Sequence, residues 1–404
     1  MNIMCLIDYG FDTPNGSSHL VIKMIDSFLK AGHKVYLVES HSVGVFPDIP
    51  EVLQDRENFT YDIISRPSIA RGSFVKRYLS GIKYEFDAKK RWKKHIQNMD
   101  VVIHQSHYTS PFAAMLLKKY KKKVVFNIYD IFPGEAYTNG SIKSKFVYNA
   151  FCLLQRIVYK TSDRFFTLTE DTKKTLISLR VDKEKIHVIP NWFDNETIAE
   201  VAFEHNTFAE EYKMDKNKHY IQYAGSIGVA YDFDTLLDVA ILLKDRKDIV
   251  FQLVGEGLFL DKVKKRIAEE SIENVRLIPW QPLDRLSEVY SACTLQIVPL
   301  RNEVIRNSFP SKILPLMACS RVPVIAVEKD SFFYSDINSN CVGIATPLGD
   351  SKALADSICK LIDDNSLRHT YEANAKKYVY ERYTADKNIK MMLAKFEELQ
   401  KEKE

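Results

Sequence analysis

Several stretches of this chain place polar side chains just after short apolar runs, where a parallel sheet would present them. In "RNEVIRNSFPSKILPLMACSRVPVIA" (301–326), Asn307, Ser308, Ser311 and Lys312 stand at the front of an apolar helical run. A lysine in the first turn opposes the helix dipole, so propensity does not place it there. A bound anion would. Lys312 with nearby backbone amides makes a clamp for a pyrophosphate that needs no metal; the plain alternative is a solvated surface lysine. In "YAGSIGVAYDFDTLLDVA", Gly225, Ser226 and Gly228 join a strand to a helix, and such a loop lets amides approach phosphate closely. "LVGEG" (253–257), with Glu256, is a second glycine turn after a strand. Asp232-Phe233-Asp234 matches the D-x-D pattern of metal-dependent chemistry. Both aspartates fall at a helix start, where they favour the dipole, so we read them as helix-start residues and expect no metal site.

The first half offers a second set. In "DYGFDTPNGSSHL", Gly16 and Ser17 precede a helix whose free amides can hold an anion; a loop glycine and an N-cap serine is the alternative. No G-x-G-x-x-G occurs there, so a dinucleotide fingerprint is not supported. "DVVIHQSHYTSP" puts His104 at a strand end and His107 with Tyr108 in the loop after it. His107 is expected to meet a sugar or its acceptor, against the more common structural role of a lone histidine. "NIYDIFPGEAYTNG" supplies Asp130 and Glu135, carboxylates that can take hydrogen bonds from sugar hydroxyls or act as a base. Asp130 capping a turn before Pro133 is the competing reading. Glu135 and Tyr108 are assigned to the acceptor.

These residues need elements to hold them. Short β-branched runs alternate with amphipathic helical stretches, the pattern of α/β units on parallel sheets. Strands are expected near 2–7, 35–39, 61–64, 100–103, 124–128, 164–168 and 186–189, with helices near 17–31, 85–97, 110–119, 143–160 and 170–178. The rhythm restarts with strands near 219–224, 249–254, 275–278, 294–298 and 322–326, and helices near 233–244, 258–270, 284–291, 311–318 and 351–363. This predicts two doubly wound domains, 1–195 and 196–379, with a C-terminal helix over 380–404 returning to the first. In that architecture a ligand lies at the carboxyl ends of both sheets.

Of 57 Lys and Arg, 29 fall in residues 1–200 beside 22 of the 53 Asp and Glu; residues 201–404 carry 28 and 31. Bases at Arg71, Lys76, Arg77 and Lys83, then at 89–94 and 118–123, are interleaved with Phe74, Tyr78, Tyr84, Phe86 and Trp92. With the amphipathic run "KFVYNAFCLLQRIVYK" (145–160) they suit an anionic membrane face, while no nucleic-acid motif accompanies the charge. Six scattered cysteines without C-x-x-C spacing, no 18-residue apolar stretch and no leader pattern point to a cytoplasmic protein, peripheral at the inner face of the membrane.

Taken in order, "NGSS", "YDIFPGE", "IHVIPNWFD", "YAGSIGVAYDFDTLLDVA", "LVGEG" and "NSFPSK…MACSRVPVIA" resemble glycosyltransferase family 4, in the bacterial surface-polysaccharide branch similar to fucosamine transferases. The resemblance implies a GT-B fold of two Rossmann-like domains and transfer with retention, without metal or other cofactor. It implies a nucleotide-sugar donor, taken as a UDP-sugar, and a glycan or polyprenyl-diphosphate-linked acceptor. By it, Gly225–Gly228, Ser311 and Lys312 grip the diphosphate, Gly16 approaches it, and backbone around Ile278 to Trp280 holds the base. Many members carry two glutamates eight residues apart where this chain has Asn307 and Pro315, and a proline breaks a helix interior. A degenerate partner subunit and a nucleotide-sugar 2-epimerase are the alternatives.

Overall fold

The computed structural model describes residues 1–8, 11, 18–42, 49–67, 69 and 74–402. Gly16, Ser17 and Arg71 lie outside them. The chain divides into two units, one of residues 1–191, 307–309 and 385–404, the other of 192–306 and 310–384.

The first unit is built on seven parallel strands: β1 (Asn2–Ile7), β2 (Lys34–Ser42), β3 (Phe59–Arg66), β4 (Val101–Gln105), β5 (Lys123–Asn127), β6 (Arg164–Thr167) and β7 (Ile186–Val188). Their order is β3-β2-β1-β4-β5-β6-β7. Order reverses between β1 and β4, so the loops leaving these neighbours diverge and open a crevice at their carboxyl ends. Its helices are α1 (Ser18–Lys30), α2 (Phe74–Trp92), α3 (Ser110–Lys118), α4 (Gly134–Thr138), α5 (Lys145–Thr161) and α6 (Glu170–Ser178).

The second unit repeats the plan with six parallel strands: β8 (His219–Ala224), β9 (Ile249–Val254), β10 (Val275–Ile278), β11 (Leu295–Pro299), β12 (Val322–Ala326) and β13 (Ile344–Thr346). The order β10-β9-β8-β11-β12-β13 puts its reversal between β8 and β11. Its helices are α7 (Thr207–Glu211), α8 (Phe233–Leu242), α9 (Leu260–Glu269), α10 (Leu286–Ser291), α11 (Val304–Asn307, whose last residue groups with the first unit), α12 (Ile313–Ala318), α13 (Phe332–Ser339), α14 (Ser351–Asp363) and α15 (Asn365–Arg382).

A final helix, α16 (Ala385–Lys401), belongs to the first unit, where Phe396 packs on Phe28 of α1 and on Phe166 of β6. Asn388 anchors it by donating to the Pro190 carbonyl at 3.0 Å. The charged tail is thus two helices, one in each unit, split at Thr384 and Ala385.

Helix α2 begins at Phe74, well before the expected position 85. Its inward face carries Gly81, Glu85 and Ala88 beside Tyr84 and Trp92, while Val75, Leu79 and Phe86 face solvent. That inversion hides the helical period. Pro315 does not break α12, because it is the third residue of the helix and its missing N–H would have no helical partner in the first turn.

Candidate active site

In the second unit, β8 runs into Gly225, Ser226, Ile227 and Gly228, and β9 into Gly255, Glu256 and Gly257. The two turns pack backbone on backbone. Gly225 donates to the Val254 carbonyl at 2.9 Å and Ile227 to the Glu256 carbonyl at 2.7 Å. Gly255 and Gly257 hold φ of +148° and +153°. A Cβ on Gly255 would overlap the Gly225 carbonyl and one on Gly257 the Ile227 backbone, so only glycine admits this approach. The Gly225 amide is therefore spent inside the protein. Ser226 and Gly228 donate theirs to no described residue.

Lys312 sits immediately before α12, with its ammonium 4.0 Å from the ring centres of both Tyr223 and Tyr231. It donates to the Tyr223 hydroxyl at 2.9 Å, which donates in turn to the Ser226 carbonyl at 2.5 Å. The fit is close: a Cβ on Gly225 would stand 2.6 Å from the Lys312 Nζ. No described carboxylate pairs with this cation. Two aromatic faces attract it, but they replace hydration only in part, and burial pushes the ammonium down to about 7.

Other expected donor residues fare variously. Ser311 is exposed, and so is Glu256. The Ile278 side chain is buried and its carbonyl accepts from the Gly255 amide at 2.9 Å, whereas Trp280 keeps an open indole. Asn307 and Ser308 group with the first unit, contrary to their expected place in the second domain. The reason is local: Ile131 donates to the Asn307 carbonyl at 2.8 Å, and the Asn307 amide rests on Gly134, where a Cβ would overlap it. Asp232 caps α8 through Thr235, and Asp234 is engaged by Lys262 at 2.6 Å and by Arg266, so both D-x-D carboxylates have structural work.

The first unit holds a buried charge network at its own strand reversal. Asp8, directly after β1, takes both hydrogen bonds of Arg66 Nη1 at 2.6 and 2.7 Å, one from Ser40, and lies 2.6 Å from His107 Nε2. Burial alone would raise the Asp8 pKa, but His107 and Arg66 outweigh it and hold the carboxyl well below the usual range. The other His107 nitrogen, Nδ1, lies 3.0 Å from Thr109 Oγ1, which reaches Glu85 Oε1 of α2 at 2.9 Å. Both ring nitrogens are thus engaged within the unit, so this imidazole has no nitrogen left for a sugar hydroxyl, contrary to expectation. Tyr108 lies against it with ring centres 3.6 Å apart and planes tilted by 41°, and is joined to Phe74, Tyr78 and Phe132. It is half-buried. His104 is buried, and desolvation followed by the charge of His107 pushes it down to about 3.

Asp130 follows β5 and remains open to solvent, while Glu135 opens α4 and is half-buried with Asn139 donating to it. Desolvation of the carboxyl group by the surrounding loop first, then the charge of Glu135, raises Asp130 towards neutrality although the residue as a whole is exposed. Sequence reading missed Asp8, Arg66, Glu85, Thr109, Tyr223 and Tyr231. An aspartate at the carboxyl end of the first strand was the available signal. It also missed Glu328, which is buried and takes the Glu303 amide at 2.5 Å, bracing the loop after β11.

Among the described residues no three His, Cys, Asp or Glu side chains gather as metal ligands, and no helix is long and apolar enough to cross a membrane.

Residues 14–197 match the family model described as Glycosyltransferase Family 4, and residues 204–378 match Glycosyl transferases group 1. A probable glycosyltransferase, WbjE of Pseudomonas aeruginosa, is 24% identical over 390 residues, spanning 93% of this chain and 95% of that protein. A putative colanic acid biosynthesis glycosyl transferase of Escherichia coli, WcaI, is 22% identical over 180 residues, 44% of this chain and 43% of its own. Among solved structures, Anabaena HepE in complex with UDP-glucose superposes with a TM-score of 0.73 at 14% identity, over 98% of this chain and all (100%) of that one, a likeness of fold. With two parallel-sheet Rossmann-like units and family matches running through nearly its whole length, the chain belongs to the glycosyltransferases of the GT-B type.

Proposed function

We propose that this glycosyltransferase moves a sugar from a UDP-sugar to a lipid-linked or other cell-envelope polysaccharide acceptor, with retention and without a metal. The observation that carries the reading is Lys312, a cation held between Tyr223 and Tyr231 with no carboxylate partner, beside a loop with two unspent amides. A diphosphate satisfies both. UDP as the carrier is supported by the fold shared with HepE, and a polysaccharide product by the colanic acid relative. Retention follows the family resemblance. The acceptor oxygen bonds to the anomeric carbon on the face the diphosphate leaves, and its proton passes to the departing phosphate. Asp130, raised towards neutrality beside Glu135, is suited to hold an acceptor hydroxyl during that step. Pro315, the ground for a degenerate subunit, leaves α12 formed and Lys312 in place, which favours an enzyme.

A thermal-shift panel with UDP, GDP and ADP, with EDTA present, tests this. Stabilisation by UDP alone, unchanged by EDTA, is the expected result, since a ligand that binds only the folded state raises its melting point. No shift with any nucleotide would return the degenerate subunit to first place.

Membrane contact is part of the proposal. On α2, Val75, Leu79 and Phe86 form an exposed apolar stripe flanked by Lys76, Lys83 and Lys90. On α5, Phe146 and Leu153 are 83% and 64% exposed, and both helices pack on α3, so they share one face of the first unit. Burying such side chains among lipid chains is favourable, and anionic headgroups suit the lysines. The protein should float with vesicles containing phosphatidylglycerol and not with neutral ones, and Phe146→Glu with Leu153→Glu should abolish this. Equal recovery with both vesicle types would remove the membrane from the reading.

A further inference from the structure

Helix α5 buries Val158 and Gln155, and the second is an amide where an amphipathic helix would place an apolar side chain. Gln155 is 3% exposed, and its Oε1 is buried without a hydrogen-bond partner. Its Nε2 bonds to no described residue either. A buried amide left unpaired is costly, so this one calls for a partner from outside the protein.

The amide lines a cavity of about 100 Å³ with Cys152, Arg156 and Tyr159 of α5, Arg180 just after α6, and Pro133. Two guanidiniums beside so small a space repel one another, and no described carboxylate lines it to offset them. Neither guanidinium forms an ion pair or a hydrogen bond with any described residue. Arg180 alone has a plain explanation, because it follows the C-terminus of α6, where a cation offsets the helix dipole. That explanation reaches neither Arg156, more than a turn before the end of α5, nor Gln155.

The remaining polar groups are neutral. Burial first, then Cys152 and Tyr148, push the Tyr159 hydroxyl well above its ordinary range, so it keeps its hydrogen and can donate. Burial also raises the Cys152 thiol, which stays uncharged at neutral pH. Turning the Gln155 amide about its last bond exchanges its two ends, so the buried end can be the donor. Two guanidiniums, an amide and a phenol thus converge as donors, the set that suits the oxygens of a tetrahedral anion. The cavity is far smaller than the roughly 300 Å³ of pockets that enclose a drug-sized ligand, so it takes the anionic group and leaves the rest of the molecule outside.

We propose that this cavity is a phosphate-group site, in which Arg156, Arg180, Gln155 and Tyr159 hold the phosphate of an ester whose remainder stays outside. It is separate from the clamp at Lys312, which belongs to the other unit. The ester has two possible sources, a phospholipid and a soluble phosphate. Arg156 follows the exposed Leu153 by three residues, so the two stand on one side of α5 and a lipid phosphate can enter while its chains cover the apolar face. From either source the occupant lies against Pro133, the residue before α4 and Glu135. Phosphate binding here is independent of the transferase reading, because it is measured without donor or acceptor.

Cys152 lines the cavity and reports on it. The full chain is treated with iodoacetamide at about pH 9, where thiols ionise. Alkylation of Cys152 is followed by peptide mass against that of the half-buried Cys341 and Cys359. Glycerol 3-phosphate at ten times a dissociation constant of about 1 mM should slow Cys152 about tenfold, relative to potassium chloride of equal ionic strength, and leave the other two unchanged. Arg156→Gln with Arg180→Gln should remove the protection, Gln155→Leu should weaken it, and Lys312→Ala should leave it intact. Vesicles of phosphatidic acid in phosphatidylcholine separate the sources. Protection that is stronger per phosphate with these vesicles assigns the site to a lipid headgroup, and otherwise to a soluble ester. Protection by vesicles with none by glycerol 3-phosphate would reflect covering of the α5 face and overturns the site. So does a Cys152 rate that about 50 mM glycerol 3-phosphate leaves unchanged, protection that survives loss of both arginines, or protection lost in Lys312→Ala.

Discussion

Lys312→Ala is expected to lower sugar transfer by about 100- to 1000-fold, the usual loss when one preorganised donor to a developing anion is removed. The unfolding temperature of the free protein should scarcely fall, because the ammonium has no carboxylate partner to leave stranded. Arginine should not rescue it. The space between Tyr223, Tyr231 and Gly225 fits an ammonium closely, with a Cβ on Gly225 only 2.6 Å from Nζ. The same environment gives the effect a pH dependence. In the free protein the ammonium is pushed down to about 7, and a bound diphosphate would restore it towards the ordinary lysine range. Binding therefore takes up a proton. Affinity for UDP should be flat below pH 7 and fall by up to about tenfold per pH unit above it. Isothermal titration in two buffers of different ionisation enthalpy reads the proton uptake directly. The same affinity at pH 6 and pH 9 would show that Lys312 is not the clamp.

Short β-branched runs between amphipathic helices fit little besides a parallel sheet, so the twelve strands expected from the sequence lie within a few residues of those formed. Strand β13, with three residues, and α13, "FFYSDINS", offer too little period to read. The start of α2 was hidden for a different reason: an exposed face of Val75, Leu79 and Phe86 reverses the rule by which helices are recognised. At the site, Lys312 was legible because a lysine just ahead of a helix is unfavourable unless something offsets it. Tyr223 and Tyr231 were not, since a tyrosine in a strand or a loop looks like packing until a cation is found between them. The buried network was least legible. Asp8, Arg66, Glu85 and Thr109 come from four separate segments, and only the sheet order β3-β2-β1-β4 brings them together. His107 stands out in the sequence as a residue of interest, but not as an engaged imidazole, because its partners are invisible along the chain.

Arg66→Ala should destabilise the first unit by about 3–5 kcal/mol, the cost of leaving a buried carboxylate without one of its two cationic partners. The pair is well suited to such a loss: the side chains are 3% and 7% exposed and joined by two hydrogen bonds from one nitrogen. Because the chain has two units, a single unfolding midpoint would blur the effect, and amide exchange in β1 and β4 is the proper measure. Acid should narrow the difference between wild type and variant. The folded Asp8 carboxyl is held below its unfolded value, so the stability it contributes is present above about pH 4 and is lost as pH falls through the folded value. Adding Asp8→Ala to Arg66→Ala should recover part of the loss, since the stranded charge goes with it. If the two changes instead add, the Asp8–Arg66 pair is not what holds the carboxyl ends of β1 and β3 together, and the burial of Asp8 must be sustained by Ser40 and His107 alone.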